Sequence, residues 1–328
     1  MQPSRVLSAK RNLLICLDAF GSIYAPARPI SHVYAEAGAR YGVVTGGIDN
    51  AADVQSKFRN AFQGESLRNP NYGSLTGLGA EQWWKNVIRN TFSGFLRPHQ
   101  AVPSPLVDEL YQFYSTAKAY SMYPDAREFF SELRKHRNGE ASTCLPEPFE
   151  KIIVGIISNS DERVPGILQS LDLHVGPIRL GTTSKTTASS ATQPDIEFVV
   201  LSYDAQVEKP DRRIFDMTTD LFTKTFGGNE QASLDPDDFE KLYVGDDLEK
   251  DYLGARYAGW FSILLDRKGV MRNSRNFRLG RVGLKDKDRK ERKVIMARSL
   301  LDLSLWEPDL RAKAKAEREQ SQSASSTT

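Results

Sequence analysis

Cysteine is scarce in this chain. Cys16 and Cys144 are the only two in 328 residues, which excludes a disulfide framework and makes a reducing compartment the expectation. Long hydrophobic runs are also missing. None approaches the roughly 20 residues that span a bilayer, so no membrane partner is expected. Net charge is only +2, too balanced for the whole surface to bind nucleic acid. The start, "MQPSRVLSAKRN", contains no acid, as in mitochondrial presequences. Cleaving a presequence of usual length would remove the first strand, however, so cytoplasm or nucleus is expected and the mitochondrion is the alternative. The remaining composition, 40% hydrophobic and 26% charged, is that of a globular chain long enough for one large or two moderate domains.

The first apolar run, "LLICLD", is short and does not alternate, the pattern of a strand buried on both faces of a parallel sheet. Helical patterns follow: "SHVYAEAGARYG", with Ser31 as cap and Gly42 as terminator, then "AADVQSKFRNAF", "GAEQWWKNVIRNTF" and "PSPLVDELYQFYSTAKAY". Residues 28–121 therefore read as an all-helical insert after the first strand, with Trp83-Trp84 packed inside it. The rhythm then changes. "YPDAREFFSELRKHR" is a helix with Pro124 in its first turn. Strand "KIIVGIISNS", helix "RVPGILQSLDL", strand "IEFVVLSYD", helix "DRRIFDMTTDLFTKTFG", strand "KLYVGDD", helix "LEKDYLGARYAG" and strand "WFSILLD" come next. Strands alternating with helices predict an α/β fold with a doubly wound parallel sheet. Its core is expected over 11–27 and 122–308, interrupted by a Ser/Thr-rich loop insertion over 173–194. A basic extension covers 267–293, and 312–328 reads as a disordered tail.

In such sheets ligands bind beyond the carboxyl ends of the strands. Polar groups stand after three of the apolar runs here: Asp18 after "LLICL", Ser158 and Asn159 after "IIVGII", and Asp246 and Asp247 after "KLYVG". Lys209-Pro210-Asp211 leads into a helix. One strand-end aspartate is commonly a helix cap, but this ordered set of carboxylate, hydroxyl, lysine and carboxylate pair is harder to explain by capping.

The segments "LDAFGS", "IISNSDERV", "VEKPDRRIF" and "VGDDLEKDYLGARYAGW" resemble the four motifs of the haloacid dehalogenase-like (HAD) hydrolase superfamily. The likeness runs from about Leu13 to Leu265. Within the superfamily the chain is similar to the branch of haloacid dehalogenase-like hydrolase domain-containing protein 3, including that branch's cap at "NYGSLTGLGAEQWW". The resemblance implies a Rossmann-like HAD core with a helical cap and a small-molecule substrate. It implies that Asp18 is a nucleophile forming a covalent intermediate, with Ser158 and Lys209 on the transferring anion. Asn159, Gly21 and Ser22 would contact substrate. Asp18, the Phe20 backbone carbonyl, Asp246 and Asp251 would surround Mg²⁺, a hard cation that prefers oxygen, and Asp247 could exchange roles with Asp246.

The sequence departs from the phosphatase pattern at Phe20. HAD phosphatases carry a second aspartate two residues after the nucleophile, which protonates the leaving oxygen and later activates water. Phe20 cannot transfer a proton, and losing a positioned acid/base costs roughly 10²–10⁴-fold. "DAFGS" is also similar to the "DAYGT" of haloacid dehalogenases, whose halide leaves unprotonated. Those enzymes use no metal and lack the "GDD" acids present here. Three readings therefore stand: a hydrolase with an aspartate nucleophile on a small phosphorylated substrate, an inactive pseudoenzyme serving as a binding scaffold, and metal-free dehalogenase-like hydrolysis. The basic segment 267–293 reads first as a solvated loop and second as a weak site for a phosphate backbone or an acidic partner. Phe277 is its only ring, which argues against sequence-specific RNA recognition.

Overall fold

The computed structural model describes residues 11–142, 145, 149–182, 193–227, 238–267, 269 and 278–306. The N-terminus through residue 10, Cys144, residues 183–192 of the Ser/Thr-rich loop, residues 268 and 270–277 of the basic segment, and the 312–328 tail lie outside the described residues. The chain runs β1 (Arg11–Leu17), β2 (Tyr24–Pro26), α1 (Ile30–Arg40), α2 (Ala51–Arg68), α3 (Ala80–Ser93), α4 (Ser104–Phe113), β3 (Tyr120–Met122), α5 (Pro124–Arg137) and β4 (Phe149–Ser158). It continues through α6 (Val164–Ser170), β5 (Val175–Arg179), β6 (Ile196–Leu201), α7 (Ser202–Ala205), α8 (Arg212–Phe226) and β7 (Phe239–Gly245). A π-helix (Leu248–Leu253), α9 (Gly254–Tyr257), β8 (Phe261–Leu265), β9 (Leu279–Lys285), β10 (Glu291–Ala297) and a 3₁₀ segment (Leu300–Leu305) complete it.

Eight strands form one sheet in the order β5-β6-β4-β1-β7-β8-β10-β9. Every neighbouring pair is parallel except β10–β9. The unbroken apolar run of β1 is explained by its central position. Leu13, Ile15 and Leu17 pack on one face with Phe129, Phe130 and Ile156, while Leu14 and Cys16 pack on the other with Phe198, Phe215 and Tyr243. A strand covered on both sides needs no polar face. Helices α1–α4 enclose their own core around Tyr34, Val54, Ile88, Phe92 and Leu106. The chain leaves the sheet for these helices through β2 and returns through β3, and the two pair antiparallel. No helix of the described residues is long and apolar enough to cross a membrane.

Four local expectations are corrected. The segment 173–194 is not loop throughout, since Val175–Arg179 pairs with β6 as the edge strand β5. Helix α1 begins after Pro29, and Ser31 is buried inside it without making a cap bond; Gly42, at φ +69°, does come just past its end. The helix expected through Tyr120 stops at Phe113, where Ser115 Oγ and Thr116 Oγ1 donate to the carbonyls of Tyr111 and Phe113 and compete with helical bonding. The basic segment is not a loop beyond Arg278. Strands β9 and β10 pair in register Lys285↔Glu291 to Leu279↔Ala297. Asp286 closes their turn by accepting from the amides of Asp288 and Lys290 and from the Arg292 guanidinium.

Candidate active site

Strand β1 lies between β4 and β7, with Leu17 opposite both Ile156 and Val244. The three strands therefore end level, and the polar residues at their carboxyl ends meet at one edge of the sheet. Asp18 continues the ladder by donating its amide to the Val244 carbonyl at 2.9 Å. Single carboxylate oxygens of Asp18, Asp246 and Asp251 all lie within 4.8 Å of one another, Asp18 and Asp251 buried and Asp246 exposed.

Lys209 enters from the loop after α7 and is buried. Its ammonium contacts four acceptors: Asp18 Oδ1 at 2.7 Å, Asp251 Oδ1 at 2.7 Å, the Tyr243 hydroxyl at 2.6 Å and the Ile157 carbonyl at 3.1 Å. The Tyr243 hydroxyl in turn donates to the Ile157 carbonyl at 2.7 Å. Burial alone would push the Lys209 ammonium down, but Asp18 and Asp251 outweigh it and raise it. The balance at Asp18 is opposite. Its removal from water raises the carboxyl, Lys209 only partly lowers it, and Asp251 and Asp246 raise it again, leaving it at about 6. Three carboxylates against one ammonium leave two negative charges in a half-enclosed site. The donors are oxygen only, and the deficit equals the charge of a divalent cation, so the residues fit Mg²⁺.

Two glycines make this packing feasible. A Cβ on Gly245 would fall 2.3 Å from the Asp251 carboxyl carbon, and one on Gly21, at φ +90°, would fall 2.4 Å from Asp246 Oδ2. Both carboxylates lie directly against bare backbone.

Asp18, Lys209, Asp246 and Asp251 thus come together, and other expected residues do different work. Asp247 is not among the clustered oxygens. Its Oδ1 accepts from the amides of Glu249 and Lys250 and caps the π-helix, while its own amide donates to Asp251 Oδ2. Asn159, expected on substrate, lines the cavity described below, and its side-chain amide also holds Lys209, donating to that residue's carbonyl at 2.9 Å and accepting from its amide at 2.7 Å. Ser22 is fully buried and its carbonyl accepts from Arg267, so it cannot touch a ligand in this conformation. Ser158 is buried with its Oγ 2.9 Å from Ser160 Oγ. Phe20, two residues past the Asp18 carboxylate, is 45% exposed, its ring edge-on to Tyr24 and Tyr120.

That ring forms part of the wall of a cavity of about 330 Å³ between the inserted helices and the sheet edge. Sequence reasoning missed most of its residues. Trp83 packs inside the helical unit as expected, its Nε1 donating to the Asn69 carbonyl. Trp84 packs there too, against Phe62, Tyr72 and Trp83, and in addition lines the cavity and donates to Asp161 Oδ2 at 2.7 Å. Asp161 accepts two further bonds, at 2.8 Å each, from the Arg163 guanidinium, which lies over the Trp84 ring. Burial would raise Asp161, but Arg163 and Trp84 outweigh it and hold the carboxyl below its ordinary range. The Tyr72 hydroxyl donates to the Asn159 carbonyl across the same junction. Tyr243 did carry a signal: a tyrosine between Leu242 and Val244 in a buried stretch of strand needs a partner for its hydroxyl.

No protein-family model matches the chain. Among known proteins, it is 30% identical over 221 residues to haloacid dehalogenase-like hydrolase domain-containing protein 3 of Xenopus laevis, covering 67% of this chain and 71% of that one. It is 27% identical over 265 residues to the rhythmically expressed gene 2 protein of Drosophila melanogaster, covering 80% and 85%. A solved defluorinating L-2-haloacid dehalogenase shares the fold at a TM-score of 0.51 and 11% identity, over 90% of this chain and 94% of that one. With the Xenopus relative matched at that identity over two thirds of both chains, and with this sheet topology, the chain belongs to the haloacid dehalogenase-like hydrolase superfamily.

Proposed function

We propose that this protein is a phosphohydrolase in which Asp18 is the nucleophile. One observation carries the reading: Asp18 is buried, one carboxylate oxygen is held at 2.7 Å by Lys209, and two further aspartates lie within reach of the same point. With Oδ1 fixed, Oδ2 is the oxygen left to attack phosphorus and form an aspartyl phosphate, which water then cleaves. Lys209 holds the attacking carboxylate and offsets the charge of the phosphoryl group. Asp251 and Tyr243 position Lys209, and Asn159 fixes its main chain. The Ser158 hydroxyl, one residue beyond the Ile157 carbonyl that Lys209 contacts, is the proposed donor to the phosphoryl oxygens.

Asp18, Asp246 and Asp251, with the Phe20 carbonyl, are the groups that would hold Mg²⁺. Bound there, the ion would neutralise the phosphoryl oxygens as a Lewis acid. Among the cavity-lining residues the guanidinium is that of Arg163, already committed to Asp161. That gives a departing halide little support and weakens the metal-free dehalogenase reading. Phe20 favours a second reading, a binding scaffold with no turnover. Incubation with Mg²⁺ and acetyl phosphate or p-nitrophenyl phosphate separates them. The enzyme reading expects turnover that Asp18→Asn abolishes in a protein with unchanged circular dichroism. Turnover that survives Asp18→Asn, or none on any activated phosphate, overturns it.

A further inference from the structure

The nature of the leaving group can be read from what surrounds Phe20. Where a proton donor would stand beside the departing oxygen there is a half-exposed aromatic ring, and that ring opens onto the cavity instead of onto solvent alone. The cavity, about 330 Å³, is at the small end of small-molecule sites, roughly 300–1,000 Å³. Its wall is mostly aromatic, and includes Phe58 and Tyr111 from the inserted segment with Phe20 and Tyr24 from the sheet side. Its one charged pair, Asp161 with Arg163, is closed on itself and roofed by Trp84. Tyr34 and Tyr114 also line the cavity. The arrangement suits a flat apolar body.

We propose that the substrate class is the aryl phosphate monoesters, with the aromatic ring in this cavity and the phosphoryl group at Asp18. The inference rests on Asp18 as nucleophile. The chemistry of departure agrees with the shape of the cavity. Asp18 oxygen forms a bond to phosphorus as the phosphorus–aryl oxygen bond breaks, and that electron pair leaves on the aryl oxide, which takes its proton from solvent. Water oxygen then bonds phosphorus, the aspartyl–phosphorus bond breaks, and dihydrogen phosphate and the Asp18 carboxylate are released. A phenol ionises near pH 10, whereas water requires about 15.7 and simple alcohols resemble water. An aryl oxide can therefore depart without the acid that Phe20 cannot be, whereas an alkoxide departs roughly 10²–10⁴-fold more slowly without it. Offset and edge-on ring contacts supply the binding that orients it.

Steady-state kinetics on the full chain with Mg²⁺ test this, using phenyl phosphate, 2-naphthyl phosphate, n-butyl phosphate and acetyl phosphate. Expected is kcat/KM at least about 10²-fold higher for the aryl esters than for the butyl ester, with KM for 2-naphthyl phosphate about tenfold below that for acetyl phosphate. Acetyl phosphate has a good leaving group and no ring, so it separates ring recognition from leaving-group acidity. Calorimetric titration of the Asp18→Asn protein with 2-naphthol should show binding that Trp84→Ala weakens.

Aryl and butyl esters turned over within threefold of one another, or acetyl phosphate alone hydrolysed with no 2-naphthol binding, would overturn the aryl assignment and leave the nucleophile standing. Absence of any Asp18-dependent turnover would remove both.

Discussion

Replacing Lys209 by methionine keeps the buried stem and deletes the ammonium. Asp18 and Asp251, 6% and 2% exposed, then lose a partner at 2.7 Å each, and the Tyr243 hydroxyl loses its 2.6 Å donor. Removing one partner of a buried ion pair costs about 3–5 kcal/mol, because the remaining charge stays out of water. Two carboxylates share this lysine, so the upper half of that range is expected. That is a large fraction of the roughly 5–15 kcal/mol that holds a folded protein together. In urea without divalent cations, with a slope of about 3 kcal/mol per M, the unfolding midpoint should fall by about 1–2 M. Adding Asp251→Asn removes one stranded charge, so the double variant should recover about 1–3 kcal/mol relative to additivity. A loss below about 1 kcal/mol for Lys209→Met, or strict additivity in the double variant, would refute the account of Lys209 as the charge on which the carboxylates depend.

Gly245→Ala places a Cβ 2.3 Å from the Asp251 carboxyl carbon; it should displace Asp251 and lower phosphatase activity at least about tenfold while far-ultraviolet circular dichroism stays unchanged. Mg²⁺ at millimolar concentration should raise the melting temperature of the wild-type chain by several degrees, since a ligand bound at 100 times its Kd adds about 2.7 kcal/mol; the Asp246→Asn protein should show no such rise, and an equal rise in both would place the ion elsewhere. Phe20→Asp restores a carboxyl two residues past Asp18 and should raise turnover of n-butyl phosphate by roughly 10²-fold or more, read as phosphate release. Asp161, held low by Arg163 despite its burial, contributes stability that is present above the ordinary carboxylate range near pH 4. That stability is lost as pH falls through its lower folded value, so Asp161→Asn should be less stable than wild type at pH 7, with the gap closing in acid denaturation below about pH 4.

Some of this was legible without coordinates. The unbroken run "LLICL" had to be a strand covered on both faces, and Asp18 had to stand where it ends, because a carboxylate cannot continue a dry strand unpaired. Periodicity likewise revealed most of the inserted helices and the alternating core. The β9–β10 hairpin carries a period-2 signal too, Val282 and Leu284 alternating with Arg281 and Lys285, but a dense run of basic residues fits a solvated loop equally well. Asp246 and Asp247 are chemically identical neighbours in the chain. Only the fold separates them, by turning one toward Asp18 and spending the other on a helix cap. The same holds for Asn159, whose amide is consumed by Lys209, and for Trp84, which packs within the inserted helices and also bonds Asp161.

Local pattern was enough to say which segments are strands and which chemical groups stand at their ends, since both depend on periodicity and on the cost of burying charge. Which of those groups share a pocket, and what faces Phe20, came from the folded chain alone. A hydrogen bond or an aromatic wall is made by residues from distant elements, and their meeting is set by strand order and helix packing, which no local pattern encodes.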